Sequence, residues 1–193
     1  NTTEFITAAS SIGLSPANAM RLAESLYTAG FISYPRTDNT VYPESVDMRT
    51  HIELFKVGGA FKQYAEQLLK KTELVPTRGK KETTDHPPIF PASLAKKSEL
   101  KDDEWKVYEL IGRRFFATFA DQAEWETMRV KFDINDEEFN VSGARLIVPG
   151  WRWYYPYNAP EDRLLPVLQE GDILAVDKTE IVDKETNPPS RYG

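Results

Sequence analysis

Apolar residues recur at helical spacing over residues 3–12, at Phe5, Ala8, Ala9 and Ile12. Asn1 and Glu4 stand as a capping box in front of them, and Gly13 is placed to end the turn. Ser15-Pro16 supplies the next start, a cap followed by proline at the first helical position, and Met20, Ala23, Leu26 and Tyr27 mark a buried face up to Gly30. Two helices joined by a short glycine-containing turn match a helix-turn-helix, and an ordinary helical hairpin fits the same pattern.

Beyond Gly30, Phe31-Ile32-Ser33-Tyr34 reads as a short strand that Pro35 ends, because proline donates no ladder hydrogen bond and pushes the preceding residue out of the helical region. A helix is predicted from Pro43 to Gly58-Gly59 on Val46, Met48, Ile52 and Phe55, and another on Phe61, Tyr64, Ala65, Leu68 and Leu69. Residues 76–91 form a long polar loop containing prolines and the basic residues Arg78, Lys80 and Lys81, and loops of such length are functional or disordered. The strongest helical stripe follows Asp102-Asp103 and runs from Trp105 to Phe119, with Asp102-Asp103-Glu104 suited to capping and to the helix dipole.

Near Thr127 the period changes to two. Met128, Val130, Phe132 and Ile134 alternate with polar residues, Asn135-Asp136 makes a turn, and Phe139 and Val141 resume the alternation. Further strands are predicted over residues 144–148 and 173–182, and the aromatic run Trp151, Trp153, Tyr154, Tyr155 and Tyr157 reads as core and edge packing of this β segment. The predicted class is therefore α+β: a helical, helix-turn-helix or winged-helix domain over residues 1–126, then a β-rich segment over residues 127–193. No internal repeat is evident.

The chain has 193 residues, 40% of them hydrophobic, which suits one or two domains. It has no cysteine and two histidines, so disulfides, thiolate metal sites and cysteine nucleophiles are excluded. A metal role for His86 lacks a second ligand at useful spacing, and no metal ligand is assigned. Apolar runs fall far short of the roughly 20 residues of a membrane span, which leads us to expect a cytoplasmic protein with no membrane partner. The net charge is −6, and acidic residues outnumber basic ones on both sides of residue 126, so bulk charge does not draw the chain to nucleic acid. A start at Asn1 and a stop at Gly193 lead us to expect a fragment.

The candidate chemistry lies at Tyr34, Arg36 and Asp38, spaced i, i+2, i+4 on a segment that Pro35 keeps extended, so that they can share a face. A free tyrosine hydroxyl has a pKa of about 10 and needs help to act as a nucleophile. A guanidinium two residues away can hold a phosphate bidentately and neutralise charge developing in an in-line displacement. A strand-end tyrosine beside a surface Arg–Asp pair fits the spacing equally well.

The longer string, from Leu26 through Gly30-Phe31-Ile32-Ser33-Tyr34-Pro35-Arg36-Thr37-Asp38-Asn39-Thr40 to Pro43, closely resembles the active-site motif of type IA DNA topoisomerases of the archaeal and topoisomerase III-like branches. Other stretches agree in order. Thr2-Thr3-Glu4-Phe5 resembles the stretch upstream of the family's tyrosine, and Asp85-His86-Pro87-Pro88-Ile89-Phe90-Pro91 its histidine motif. The helix of residues 105–119 resembles the one that follows, and Asn187-Pro188-Pro189-Ser190-Arg191-Tyr192 its Pro-Pro-x-Arg-Tyr signature.

That resemblance implies that Tyr34 is the nucleophile that makes a 5′-phosphotyrosyl link and frees a 3′-hydroxyl, so that rejoining needs no ATP. It implies that Arg36 binds the scissile phosphate, that Asp38 orients Arg36, and that His86 approaches single-stranded DNA beside the tyrosine. Arg113 and Arg114 could reach phosphate, a surface salt bridge being the plainer alternative. The resemblance further implies a catabolite-activator-like helix-turn-helix in the tyrosine domain and an incomplete arch in residues 127–193. The family's TOPRIM domain, which binds Mg2+, and its groove domain are not in this sequence. The chain alone is therefore expected to be inactive, with the rest of the polypeptide and single-stranded DNA as its partners and a nucleoid-associated location. A non-catalytic winged-helix module binding duplex DNA through residues 16–29 is the alternative.

Overall fold

The first helix, α1 (Thr2–Ser11), starts where the Asn1 side-chain oxygen accepts from Glu4 N at 2.9 Å, and it buries Phe5 and Ala9. In α2 (Pro16–Thr28) the Ser15 hydroxyl caps the first turn, and Ala19, Leu22, Ala23 and Leu26 form the buried stripe. Gly30 ends α2 in the left-handed region, φ 78°, which lets Phe31 N reach back to Leu26 O at 2.9 Å. A computed structural model describes residues 1–158 and 161–186 of the chain.

The third helix begins later than the apolar pattern predicts. Residues 43–47 turn, and α3 runs over Met48–Glu53 into a 3-10 turn at Leu54–Val57. The reason is Asp47, whose carboxylate accepts from Thr50 Oγ1 at 2.6 Å and from the Arg49 and Thr50 amides, so the helix starts at its cap. The Thr50 hydroxyl bond, ahead of the amide bonds, holds the Asp47 carboxyl below its usual pKa. Helix α4 (Lys62–Leu68) follows.

Helix α5 (Asp102–Thr118) is the axis of the core, packing against α1, α2 and α4. Its cap is Lys101, with the Glu104 carboxylate accepting from Lys101 N at 3.1 Å and from Ser25 Oγ of α2 at 2.9 Å. Phe55, Phe61, Tyr108, Phe115 and Phe116 fill the centre and meet largely edge to face or tilted. Tyr108 is both core and brace: its hydroxyl donates to Ser93 O at 2.7 Å, accepts from Ala95 N at 3.1 Å, and burial pushes its pKa up to about 12.

Gly112 sits where α5 meets Phe61. A Cβ there would lie 2.1 Å from the Phe61 ring, which is 1% exposed and has no room to retreat. Gly112→Ala is expected to destabilise the fold by about 1–3 kcal/mol through overpacking, read as a lowered urea midpoint. An unchanged midpoint would show that Phe61 has space the packing denies.

Strands β1 (Glu124–Ile134) and β2 (Glu137–Val148) form one antiparallel hairpin, with Val130 opposite Val141 and Phe132 opposite Phe139. Asn135 and Asp136 both have positive φ, 53° and 66°, the left-handed pair of a two-residue hairpin turn. The sheet starts at Glu124, three residues before Thr127, where the change of period is predicted.

Two expectations for the rest of the β segment fail. Residues 173–182 form no strand: Ile173 and Ile181 are 97% and 94% exposed and no third strand pairs with the hairpin among the described residues, so an apolar, β-branched stretch without a partner does not make a sheet. The aromatic run does not fill the β segment. Trp151–Tyr154 forms a short helix, α6, that returns to the helical body, with Tyr154 buried and Tyr64 of α4 at 5.5 Å from its ring and 5.0 Å from Trp153. The fold class is α+β, with the β part a single hairpin among the described residues.

Candidate active site

Residues 31–40 link α2 to α3 without regular structure, and side chains hold them in place. The predicted strand over residues 31–34 reduces to one bridge, Ile32 with Pro91, flanked by Ser33 N to Phe90 O at 2.9 Å and Ala92 N to Phe31 O at 2.8 Å. Pro35 and the prolines at 87, 88 and 91 leave too few amides for a longer ladder.

Polar side chains replace the missing ladder. Ser33 Oγ accepts from Phe90 N at 2.9 Å and donates to Pro88 O at 3.1 Å. Thr2 Oγ1 donates to Pro35 O at 2.7 Å and accepts from Thr37 N at 2.9 Å. Thr37 Oγ1 donates to His86 O at 3.2 Å, while Asn39 Nδ2 donates to Thr83 O at 2.8 Å and His86 O at 3.0 Å. Thr37 and Asn39 are each only 4% exposed, whereas the Arg36 and Asp38 side chains between and beside them are 59% and 62% exposed. The extended segment thus turns alternate residues inward as staples and leaves Tyr34, Arg36 and Asp38 on the other side.

Asn39→Ala removes both amide donations and the acceptor for Val41 N, 2.9 Å away, from a buried position. The orphaned groups are expected to cost about 2–3 kcal/mol, measured as a loss of unfolding free energy, with amide exchange quickening across residues 37–41 and 83–88. Wild-type exchange there would mean that Asn39 is not the staple.

Tyr34 is half-buried between two rings, Tyr27 at 5.2 Å edge-on and His86 at 4.5 Å with a 52° tilt. Its hydroxyl makes no hydrogen bond to the described residues. Most other tyrosines are unsuited to ionise: burial pushes Tyr108, Tyr154 and Tyr157 up to about 12 and raises Tyr42 and Tyr155 as well. Tyr64 is 4% exposed within the core.

Arg36 and Asp38 do not face each other as an orienting pair. Asp38 pairs with Lys81 of the basic loop, and Arg36 pairs with Glu24 of α2. Arg36 Nε donates to Glu24 Oε1 at 2.8 Å, and its Nη2 reaches the same oxygen. No ion pair joins Asp38 to Arg36 among the described residues. Glu24 lies twelve positions upstream on a helix, and no local periodicity connects it to an extended segment beyond Gly30.

The two consecutive arginines of α5 part company. Arg113 is turned inward: Nε donates to Glu109 at 3.0 Å, Nη1 to Tyr154 O at 3.3 Å, and the group stands 5.2 Å over Tyr64. It joins α5 to α6 and α4, with the salt bridge to Glu109 that the plainer alternative foresaw. Arg114 is exposed, 5.5 Å from the Tyr155 ring centre, on an open groove of about 760 Å³ shared with Arg78, Lys80, Lys81, Thr40 and Trp151. Arg78 is paired there with Glu82. The Pro-Pro-x-Arg-Tyr stretch at residues 187–192 lies outside the described residues.

Among the described residues no group of three or more His, Cys, Asp or Glu side chains is placed to hold a metal ion. No helix among them is long and apolar enough to cross a membrane.

A family model described as DNA topoisomerase matches residues 1–193. DNA topoisomerase 1 of Archaeoglobus fulgidus is 46% identical over 194 residues, covering 100% of this chain and 29% of that protein. DNA topoisomerase 3-beta-1 of Homo sapiens is 37% identical over 191 residues, covering 98% of this chain and 22% of that protein. The full-length topoisomerase I of Thermotoga maritima superimposes with a TM-score of 0.61 at 21% identity, over 89% of this chain and 28% of that one, a likeness of fold. The chain thus spans less than a third of the length of these relatives.

Proposed function

The chain belongs to the type IA DNA topoisomerases, and from that premise we propose that it supplies the nucleophile with which such an enzyme cuts and rejoins one DNA strand. Tyr34 Oη attacks the scissile phosphorus; the new O–P bond forms as the bond to the 3′-oxygen breaks. The phenol proton is given up and the 3′-oxygen leaves as a hydroxyl, so charge and atoms balance. One phosphodiester is exchanged for another, and rejoining is the same displacement reversed, without ATP. Passing a second strand through the break changes DNA topology.

The observation that carries this reading is the placement of Tyr34. Its ring lies between Tyr27 and His86, its hydroxyl is uncommitted among the described residues, and its backbone is tied through Thr37 and Asn39 to the histidine segment. A nucleophile must be held in position and yet have a free oxygen. Arg36, on the same side, carries the charge that binds the phosphate and offsets the negative charge gathering on its oxygens. His86 flanks the strand at the tyrosine, and Arg114 offers a further phosphate contact on the groove. Asp38, paired with Lys81, supports the segment.

The single-strand substrate, the Mg2+ requirement and the TOPRIM and groove domains that complete the activity belong to this proposal, as does inactivity of the chain by itself. Residues 1–126 are then the tyrosine-bearing domain and the hairpin onward the later half of the arch. The alternative, a duplex-binding winged helix, is not favoured: the first turns of α2 offer Asn18, whose side-chain oxygen is taken by Arg21 Nη2 at 2.7 Å.

The deciding experiment incubates the full-length protein with an end-labelled single strand and magnesium, stops it with denaturant, and maps the labelled peptide. The label is expected on Tyr34 through a 5′-phosphate. A label on any other residue would overturn the assignment.

A further inference from the structure

Arg36 is held by one edge only. Its Nε and Nη2 both point at Glu24 Oε1, while Nη1 has no partner among the described residues. A guanidinium presents two parallel pairs of N–H bonds, one along the Nε/Nη2 edge and one across its Nη1/Nη2 end. With the first committed to a carboxylate, the second stays open.

We propose that Glu24 is a positioning residue that grips the side of the Arg36 guanidinium and turns its free end towards the scissile phosphate. The proposal rests on the phosphate-binding reading of Arg36. Glu24 is well placed for such a task. It stands on α2 next to the buried Ala23, and its neighbour Ser25 ties the same helix to Glu104 at the start of α5. The carboxylate is thus anchored to the helical core, whereas Arg36 lies on an irregular segment and has a long side chain of many rotamers. Stability does not explain the pair, because both side chains are about half exposed, 59% and 44%, and exposed pairs contribute little. What remains is orientation, which matters for a planar fork that must meet two phosphate oxygens at once.

The carboxylate has an opposing effect on binding, since it stands near an incoming phosphodiester. Orientation and charge can therefore be separated. Glu24→Ala loses both, whereas Glu24→Gln keeps an acceptor oxygen for Arg36 and loses the charge.

The test measures single-turnover cleavage of a labelled single strand at saturating full-length enzyme, with the dissociation constant taken separately. Glu24→Ala is expected to slow cleavage about tenfold while affinity stays equal or rises, and Glu24→Gln to restore the rate to within about threefold of wild type. In the Glu24→Ala background, Arg36→Ala should add no more than it does alone after the first loss is counted; that is, the double variant should cleave no more slowly than Arg36→Ala. Melting temperatures should match wild type, which keeps folding out of the comparison.

Cleavage by Glu24→Ala at or above the wild-type rate, with Arg36→Ala slow, overturns this inference and leaves the role of Arg36 standing. So do separate, multiplying losses in the double variant. A wild-type rate for Arg36→Ala itself overturns the phosphate reading and this inference with it.

Discussion

Tyr34→Phe is expected to abolish the covalent protein–DNA adduct while leaving the fold intact. The substitution removes one oxygen and keeps the ring between Tyr27 and His86, and no hydrogen bond to the described residues is lost. Stability should therefore change by no more than about 0.5 kcal/mol. Cleavage has no substitute route. The neighbouring phenol of Tyr27 meets the Tyr34 ring edge-on from a helix, at 5.2 Å between centres, and is held to a different backbone. Reacting atoms must approach within about 3–3.5 Å in line with the leaving oxygen, and a phenol on another element does not inherit that geometry. Denaturant trapping of a labelled strand measures the outcome, with Tyr27→Phe as the companion variant that retains the adduct. An adduct that survives in Tyr34→Phe, or is lost in Tyr27→Phe alone, would place the nucleophile elsewhere.

Much of the helical body is legible from periodicity and caps. Asn1, Ser15 and Gly30 mark the ends of α1 and α2 where the sequence puts them, and the aromatic stripe of α5 identifies the axis of the core. These signals are local: a cap and its amide lie within four residues. What periodicity misplaces depends on partners far along the chain. Residues 173–182 carry apolar and β-branched residues like a strand and find no strand to pair with among the described residues, while the run at residues 151–157 reads as β-segment packing and in fact finds Tyr64 and Arg113 in the helical body.

The site divides in the same way. The outward Tyr34, Arg36 and Asp38 can be placed on one side by counting in twos, because an extended backbone enforces the alternation. Their partners cannot be counted. Arg36 meets Glu24 and Asp38 meets Lys81 only because the segment doubles back between α2 and the loop of residues 76–91. The inward set is informative in retrospect: Ser33, Thr37 and Asn39 all bond across to residues 83–90, which explains short polar side chains at positions a strand would fill with apolar ones. Between prolines, a hydroxyl or amide side chain is the available substitute for a ladder hydrogen bond.

Arg36→Ala is expected to slow strand cleavage by about a hundredfold to a thousandfold, the loss typical when a preorganised charge on a reacting oxygen is removed. The argument is differential. A phosphodiester carries one negative charge before attack, and more gathers on its equatorial oxygens as the phosphorus becomes five-coordinate, so a guanidinium fixed beside it favours the transition state over the bound strand. Affinity should fall much less, because one phosphate among those contacted along a strand contributes one increment of the salt-dependent binding. The fold should not notice: Arg36 is 59% exposed and its partner 44%, so the lost pair is screened by water. Arg36→Lys refines the test. It keeps a positive charge and loses the planar fork, so its rate should fall between those of wild type and Arg36→Ala. Single-turnover rates set against dissociation constants for the three proteins decide the matter. Equal losses in rate and affinity would reduce Arg36 to a strand contact, and a lysine variant as slow as the alanine variant would make geometry, rather than charge, the whole of its contribution.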